Sequence, residues 1–211
     1  MIEYAVDVII IIIGFTLFAF SHSLLASFKF KKIIAEKIGN YIAFYRLVYN
    51  IISVLSLALL IWLLPKPDLI IYDLSYPYDI IILIPQFSSL AGIIWSLGYI
   101  STREFLGIEQ MKRWINNQYN TNELDEKMTF VIEGPYKYIR HPVLFFGGLF
   151  LILRPVMDLF YLTCLICIIL YIYIGSFFEE KRLIEKFGER YIEYQKDVAR
   201  FIPVRLLRFK K

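Results

Sequence analysis

No basic residue precedes the first apolar stretch of this chain, where the only charges are Glu3 and Asp7. A secretory leader carries a positive start, so the stretch from Val8 reads as a retained helix. Cysteine is scarce. Cys164 and Cys167 form one C-x-x-C in aliphatic surroundings with no second pair, which points to packing rather than metal or redox chemistry. Charged residues fill only 20% of the 211 positions, against 58% hydrophobic ones. That balance is too apolar for an ordinary soluble domain and indicates a membrane protein. Repeats and low-complexity linkers are missing too, so one membrane domain is expected over 1–211, with an N-terminal three-helix part (1–133) and a hairpin with a tail (134–203).

What is present comes in blocks: Val8–Leu25, Leu47–Leu64, Ile80–Ile100, Val143–Leu153 and Leu159–Phe178. Four are about 20 residues long, enough for a helix to cross ~30 Å of hydrocarbon. Val143–Leu153 crosses only if its helix starts near Pro142 and its Tyr/Arg/His flank lies among headgroups. The expectation is an all-α integral membrane protein of about five transmembrane helices, with Pro85 and Gln86 bending the third or delaying its entry. All basic residues except Lys66 and Arg154 then fall on one side, in the loops Ala26–Arg46 and Ser101–Pro142 and in the tail. By the positive-inside rule the N-terminus lies outside the cell membrane and the C-terminus in the cytoplasm. The net charge of +4 thus serves topology and lipid headgroups; nucleic acid is not a partner.

Ionisable groups at a membrane boundary need partners or water, which makes such clusters functional candidates. Arg140-His141-Pro142 is one. Proline suits the first turn of a helix, and the open N–H groups and positive dipole end there suit a carboxylate or phosphate. Tyr136 and Tyr138 stand ready to frame a ring; alternatively Arg140 snorkels and the tyrosines form an interfacial belt. Glu179-Glu180 is the second cluster, suited to a sulfonium or ammonium cation or to a salt bridge with Arg140. The five residues Arg154–Asp158 are the only turn between the fourth and fifth helices, so this tight hairpin brings both clusters together. A cytoplasmic helix follows, broken at Gly188, and Tyr191, Tyr194, Val198 and Phe201 extend its amphipathic pattern. His22 closes the first helix on the same membrane face as His141.

These residues carry a resemblance. Arg140–Pro142, the hairpin, Glu179-Glu180 and Gly188-x-x-Tyr191-x-x-Tyr194 resemble the isoprenylcysteine carboxyl methyltransferase and phospholipid N-methyltransferase superfamily. His22-Ser23, Phe28-Lys29, Arg46-x-x-Tyr49, Trp62–Pro67 and the reduced motif Phe105-Leu106-Gly107-Ile108-Glu109-Gln110 are similar to its methanethiol S-methyltransferase-like branch. Departures are the turn Arg154–Met157 and a longer polar loop from Asn116 to Lys127. The resemblance implies S-adenosylmethionine as methyl donor, held by Tyr136, Arg140, His141, Pro142, Glu179, Glu180, Tyr191 and Tyr194. It implies no metal. Arg140, His141 and Glu180 would be catalytic, with His141 or Glu180 taking a thiol proton and Arg140 steadying the anion. His22 and Gln110 would line the side of a small lipophilic acceptor.

Two other readings share part of the pattern. The same fold could methylate a phospholipid amine or a prenylcysteine carboxylate. A haem-binding protein resembling the zeta-carotene isomerase group would use His22 and His141 as axial ligands, although the Glu-Glu pair and the Tyr-rich tail are foreign to that group. A non-catalytic scaffold is the third option, and the paired carboxylates make it the least attractive.

Overall fold

A computed structural model describes residues 2–121, 124, 127 and 129–203. Part of the polar loop at 116–127 and the basic residues beyond Pro203 lie outside the described residues. The chain forms two compact units, Met1–Lys66 with Ser101–Thr129, and Pro67–Ile100 with Phe130–Lys211.

In the first unit an isoleucine-rich run forms α1 (Ile2–Ala26), which packs against α3 (Tyr45–Leu63) and buries Ile11 and Phe15. Ser27 ends α1 and caps α2 (Phe28–Ile38), its hydroxyl accepting the Phe30 N–H at 3.3 Å. A 3₁₀ segment, Gly39–Phe44, leads into α3. The stretch expected as the loop Ala26–Arg46 is therefore mostly helical, because Phe30, Ile33, Ile34 and Ile38 recur at helical spacing between the lysines. Two short helices follow, α5 (Thr102–Leu106) and α6 (Ile108–Ile115), joined at Gly107. The free end of α5 is closed by α3: Arg46 Nε and Asn50 Nδ2 both donate to the Phe105 carbonyl, at 2.8 and 3.0 Å. Trp114 on α6 meets Phe44 edge-on at 5.0 Å.

The second unit contains β1 (Ile70–Asp73), α4 (Tyr78–Leu97), a 3₁₀ turn at Gly134–Lys137, α7 (Pro142–Ile152), β2 (Val156–Asp158), α8 (Leu159–Phe187) and α9 (Glu189–Asp197). The turn expected between the hairpin helices is in part a strand. β2 pairs antiparallel with β1, Ile70 opposite Asp158 and Asp73 opposite Val156, adding a small ribbon to the helical architecture. Asp158 then caps α8, accepting the Tyr161 N–H at 2.7 Å. α4 does not begin late at Pro85; it starts at Tyr78 and runs through the proline. Gly92 lets α4 and α7 approach closely, since a methyl group there would lie 2.5 Å from the Phe146 ring.

Among the described residues, four helical stretches are long and apolar enough to cross a membrane: Ile2–Ala26, Phe28–Leu63, Tyr78–Leu97 and Leu159–Phe187. α3 buries none of its residues, and Val54 and Leu55 are 68% and 63% exposed, as side chains facing lipid are. α7 has 11 residues, about 16 Å of helix, half of what a crossing takes.

Candidate functional site

The polar centre of the second unit grows from three local features. Pro142 opens α7 as its first residue, with His141 just before it in a non-helical conformation. Ser176 and Glu180, four residues apart, share the buried face of α8. Gly188, at φ +57°, ends α8 and turns the chain into α9. Beyond α9 the tail comes back along the loop before α7. There the Arg140 N–H donates to the Ala199 carbonyl at 2.9 Å and the His141 N–H to the Arg200 carbonyl at 3.1 Å.

Glu180 is the hub of this arrangement and is 2% exposed. Its Oε1 accepts from Arg140 Nε at 2.7 Å and faces His141 Nε2 at 3.1 Å. Its Oε2 accepts from Arg200 Nη2 at 2.6 Å and Gln195 Nε2 at 2.9 Å. A carboxylate offers about four lone-pair positions, so this one is saturated. Arg140 is pinned further, donating to the Val198 and Gln195 carbonyls at 2.6 and 3.2 Å. The salt bridge between Arg140 and the Glu-Glu pair considered above thus exists, on Glu180 and inside a larger network.

Glu179 differs sharply from its neighbour. Its side chain is 47% exposed, and Oε2 stands 3.5 Å from His141 Nδ1. His141 is buried between the two carboxylates, with the Phe201 ring 5.6 Å away. Burial alone would lower its pKa, but the hydrogen bonds to Glu179 and then Glu180 outweigh it and lift the imidazole above its usual 6.5. An ionised Glu180 can only accept, so the tautomer with its proton on Nε2 fits this contact and leaves Nδ1 to take up or release a proton.

The tyrosines frame the other side. Tyr194 donates its hydroxyl to the Tyr136 carbonyl at 2.6 Å, and Tyr191 is 3% exposed. Burial, reinforced by Glu179, pushes the Tyr136 phenol up to about 12, and burial raises Tyr191 and Tyr194 as well. All three therefore remain neutral. Tyr138 is 47% exposed and contributes no ring to the centre. Next to Tyr194 opens a cleft of ≈ 400 Å³ lined by Phe130, Lys137, Arg190, Glu193 and Asp197 among others. Phe130 stacks on Phe187 at 5.4 Å and carries the Arg190 guanidinium 5.2 Å above its ring.

The structure thus gathers Tyr136, Arg140, His141, Pro142, Glu179, Glu180, Tyr191 and Tyr194 in one unit. His22 and Gln110 belong to the other. His22 is half-buried, stacked on Phe18 and 2.7 Å from the Tyr49 hydroxyl. Gln110 is buried; its Nε2 donates to the Glu104 carbonyl at 3.2 Å, and its Oε1 has no hydrogen-bond partner among the described residues. Glu104 in turn is paired with Arg113, whose bonds, together with Lys127, overcome burial and hold its carboxyl below the usual range. Sequence reading missed Arg200 and Gln195, which look like any other residues of a basic tail, and took Phe201 only as part of an amphipathic pattern. For a haem, the hydrogen-bond pattern is unfavourable: one His141 nitrogen is bonded to Glu180 and the other faces Glu179.

No family model matches the chain, and no solved structure does. Curated relatives match nearly its whole length. It is 30% identical to methanethiol S-methyltransferase 1 of Bradyrhizobium diazoefficiens, over 94% of this chain and 67% of the relative. The methanethiol S-methyltransferase of Pseudomonas deceptionensis is also 30% identical, over 94% and 72%. That of a second Pseudomonas species is 31% identical, over 97% and 76%.

Proposed function

Because the chain belongs to the methanethiol S-methyltransferase family, we propose that it transfers a methyl group from S-adenosylmethionine to methanethiol at a membrane. The observation that carries the site assignment is the saturated Glu180, which fixes Arg140 and His141 while Glu179 keeps its carboxylate half open. The residues suit the donor. Glu179 is an available anion for the ammonium group of its amino-acid end. The cleft beside Tyr194, with the aromatic face of Phe130 and the polar groups of Lys137, Arg190, Glu193 and Asp197, suits its nucleoside end. When bound, the donor supplies an electrophilic methyl group on a sulfonium sulfur.

The chain's own residues do the rest. A thiol with a pKa near ~8.5 or above must lose its proton to become the attacking thiolate. Neutral His141 accepts it at Nδ1, and Glu179 steadies the charge that results. One C–S bond forms on the thiol sulfur as another breaks at the sulfonium, leaving two neutral thioethers. Arg140 holds Glu180 and the tail in place. The reading takes both units as one methyltransferase domain over 1–211. It keeps the N-terminus outside and the C-terminus in the cytoplasm, with α7 as a fifth, short crossing, on the strength of the one-sided basic residues.

Incubating the purified protein with methyl-labelled donor and a panel of methanethiol, a prenylcysteine and phosphatidylethanolamine tests this directly. Label is expected in dimethyl sulfide; label only in a lipid or prenylcysteine product would reassign the acceptor. The rate should also depend on pH. His141 must be neutral to act, and its pKa is raised, so kcat is expected to be low in acid and to climb through a midpoint above 6.5. Glu179→Gln removes the largest raising cause and should move that midpoint down. A flat profile from pH 6 to 9 would exclude His141 as the base.

A further inference from the structure

The geometry points to Arg200 as a positioning residue for the methyl transfer, one that acts through Glu180 to keep the buried His141 imidazole able to shed its proton. This rests on the reading of His141 as the base. Arg140 and His141 share one oxygen of Glu180, whereas Arg200 takes the other at 2.6 Å. Arg200 therefore drains charge from the carboxylate without bonding to the imidazole itself. It is also held on several sides. Its guanidinium lies 3.7 Å from the centre of the Phe177 ring, its carbonyl accepts the His141 N–H, and the next residue, Phe201, lies against the His141 ring. A cation seated this firmly on a buried hub acts over a short distance with little screening.

The charged and titratable groups around this point come from every packed element. Arg140 and Tyr136 belong to the loop before α7, Glu179 and Glu180 to α8, Tyr191 and Tyr194 to α9, and Arg200 to the tail. The tyrosines stay neutral, so the balance at His141 is set by two carboxylates against two guanidiniums. Remove Arg200 and Glu180 keeps only one. The imidazolium then gains a stronger counter-ion, and His141 holds its proton to higher pH.

The test uses the full chain in lipid nanodiscs with its two histidines carbon-13 labelled, the signals sorted with a His22→Asn variant. In Arg200→Gln the His141 titration midpoint is expected to rise by about one pH unit, and the climbing limb of kcat to move with it. KM for methanethiol should stay within about threefold, because Arg200 does not touch the acceptor. Arg200→Lys, which restores the charge, should keep the wild-type midpoint. If Arg200→Gln does not fold, Arg200→Met serves, since it keeps an aliphatic stem against Phe177. An unmoved or lowered midpoint would overturn the assignment, as would a Lys variant displaced as far as the Gln one. A wild type that titrates but transfers no methyl group would instead sink the methyltransferase reading, so the two failures are told apart.

Discussion

Glu180→Ala is expected to lower methyl transfer by about 10²–10³-fold or more and to destabilise the fold by about 3–5 kcal/mol, the usual cost of stripping one partner from a buried ionic cluster. The reason is the count of groups left behind. Two guanidiniums, an imidazole and a side-chain amide all point at this one carboxylate. Without it, Arg140 and Arg200 face each other as buried like charges, and the tail loses its anchor on α8. Glu180→Gln keeps the shape and one good acceptor oxygen, so it should fall between wild type and alanine in thermal unfolding. Glu179→Ala makes the useful contrast. Its side chain is 47% exposed, so its stability cost should be below about 1 kcal/mol, with the loss concentrated in turnover. Equal unfolding midpoints for Glu180→Ala and wild type would contradict the hub role.

The second large effect is expected far along the chain from these residues, at Gly107. This glycine links α5 to α6 at φ +89°, and a methyl group on it would stand 2.7 Å from the Leu47 backbone nitrogen. Backbone cannot step aside as a side-chain tip can. Gly107→Ala therefore combines a left-handed conformation unfavourable to any L side chain with a clash against α3, and about 3 kcal/mol or more of stability should be lost. The lost contacts include the Arg46 and Asn50 bonds to the Phe105 carbonyl. Chemical denaturation in detergent micelles, followed by circular dichroism, reads this out. A shift below about 1 kcal/mol would mean that α3 yields more easily than its packing suggests.

Much of the architecture could be read from the chain because hydrophobic runs and helix punctuation are local signals. The apolar blocks marked the long helices, Pro142 marked the start of α7, and Gly188 marked the break after α8. The meeting of Arg140 and His141 with Glu179 and Glu180 followed from one argument, that a five-residue connection leaves the hairpin ends side by side. What escaped was held by long-range backbone pairing. The β1–β2 ribbon joins Ile70 to Asp158 across most of the second unit, and nothing in Ile-Ile-Tyr-Asp names Val-Met-Asp as its partner. Arg200 was hidden for a related reason: one basic residue among ten in the tail carries no mark of its contact until the chain has turned back. The lysine-rich segment after α1 misled because its charges suggested a loop, while its apolar residues kept helical spacing.

The tail pairing also orders events in time. Arg140 bonds to the Val198 carbonyl, 58 residues further along the chain. Ribosomes release α7 and α8 first, and Gln195, Val198 and Arg200 emerge afterwards. A nascent chain can therefore have its long apolar helices complete while Glu180 still lacks Gln195 and Arg200. The cluster closes only with the last pairing, so making the long apolar helices and completing the Glu180 network are separate steps in the making of this protein.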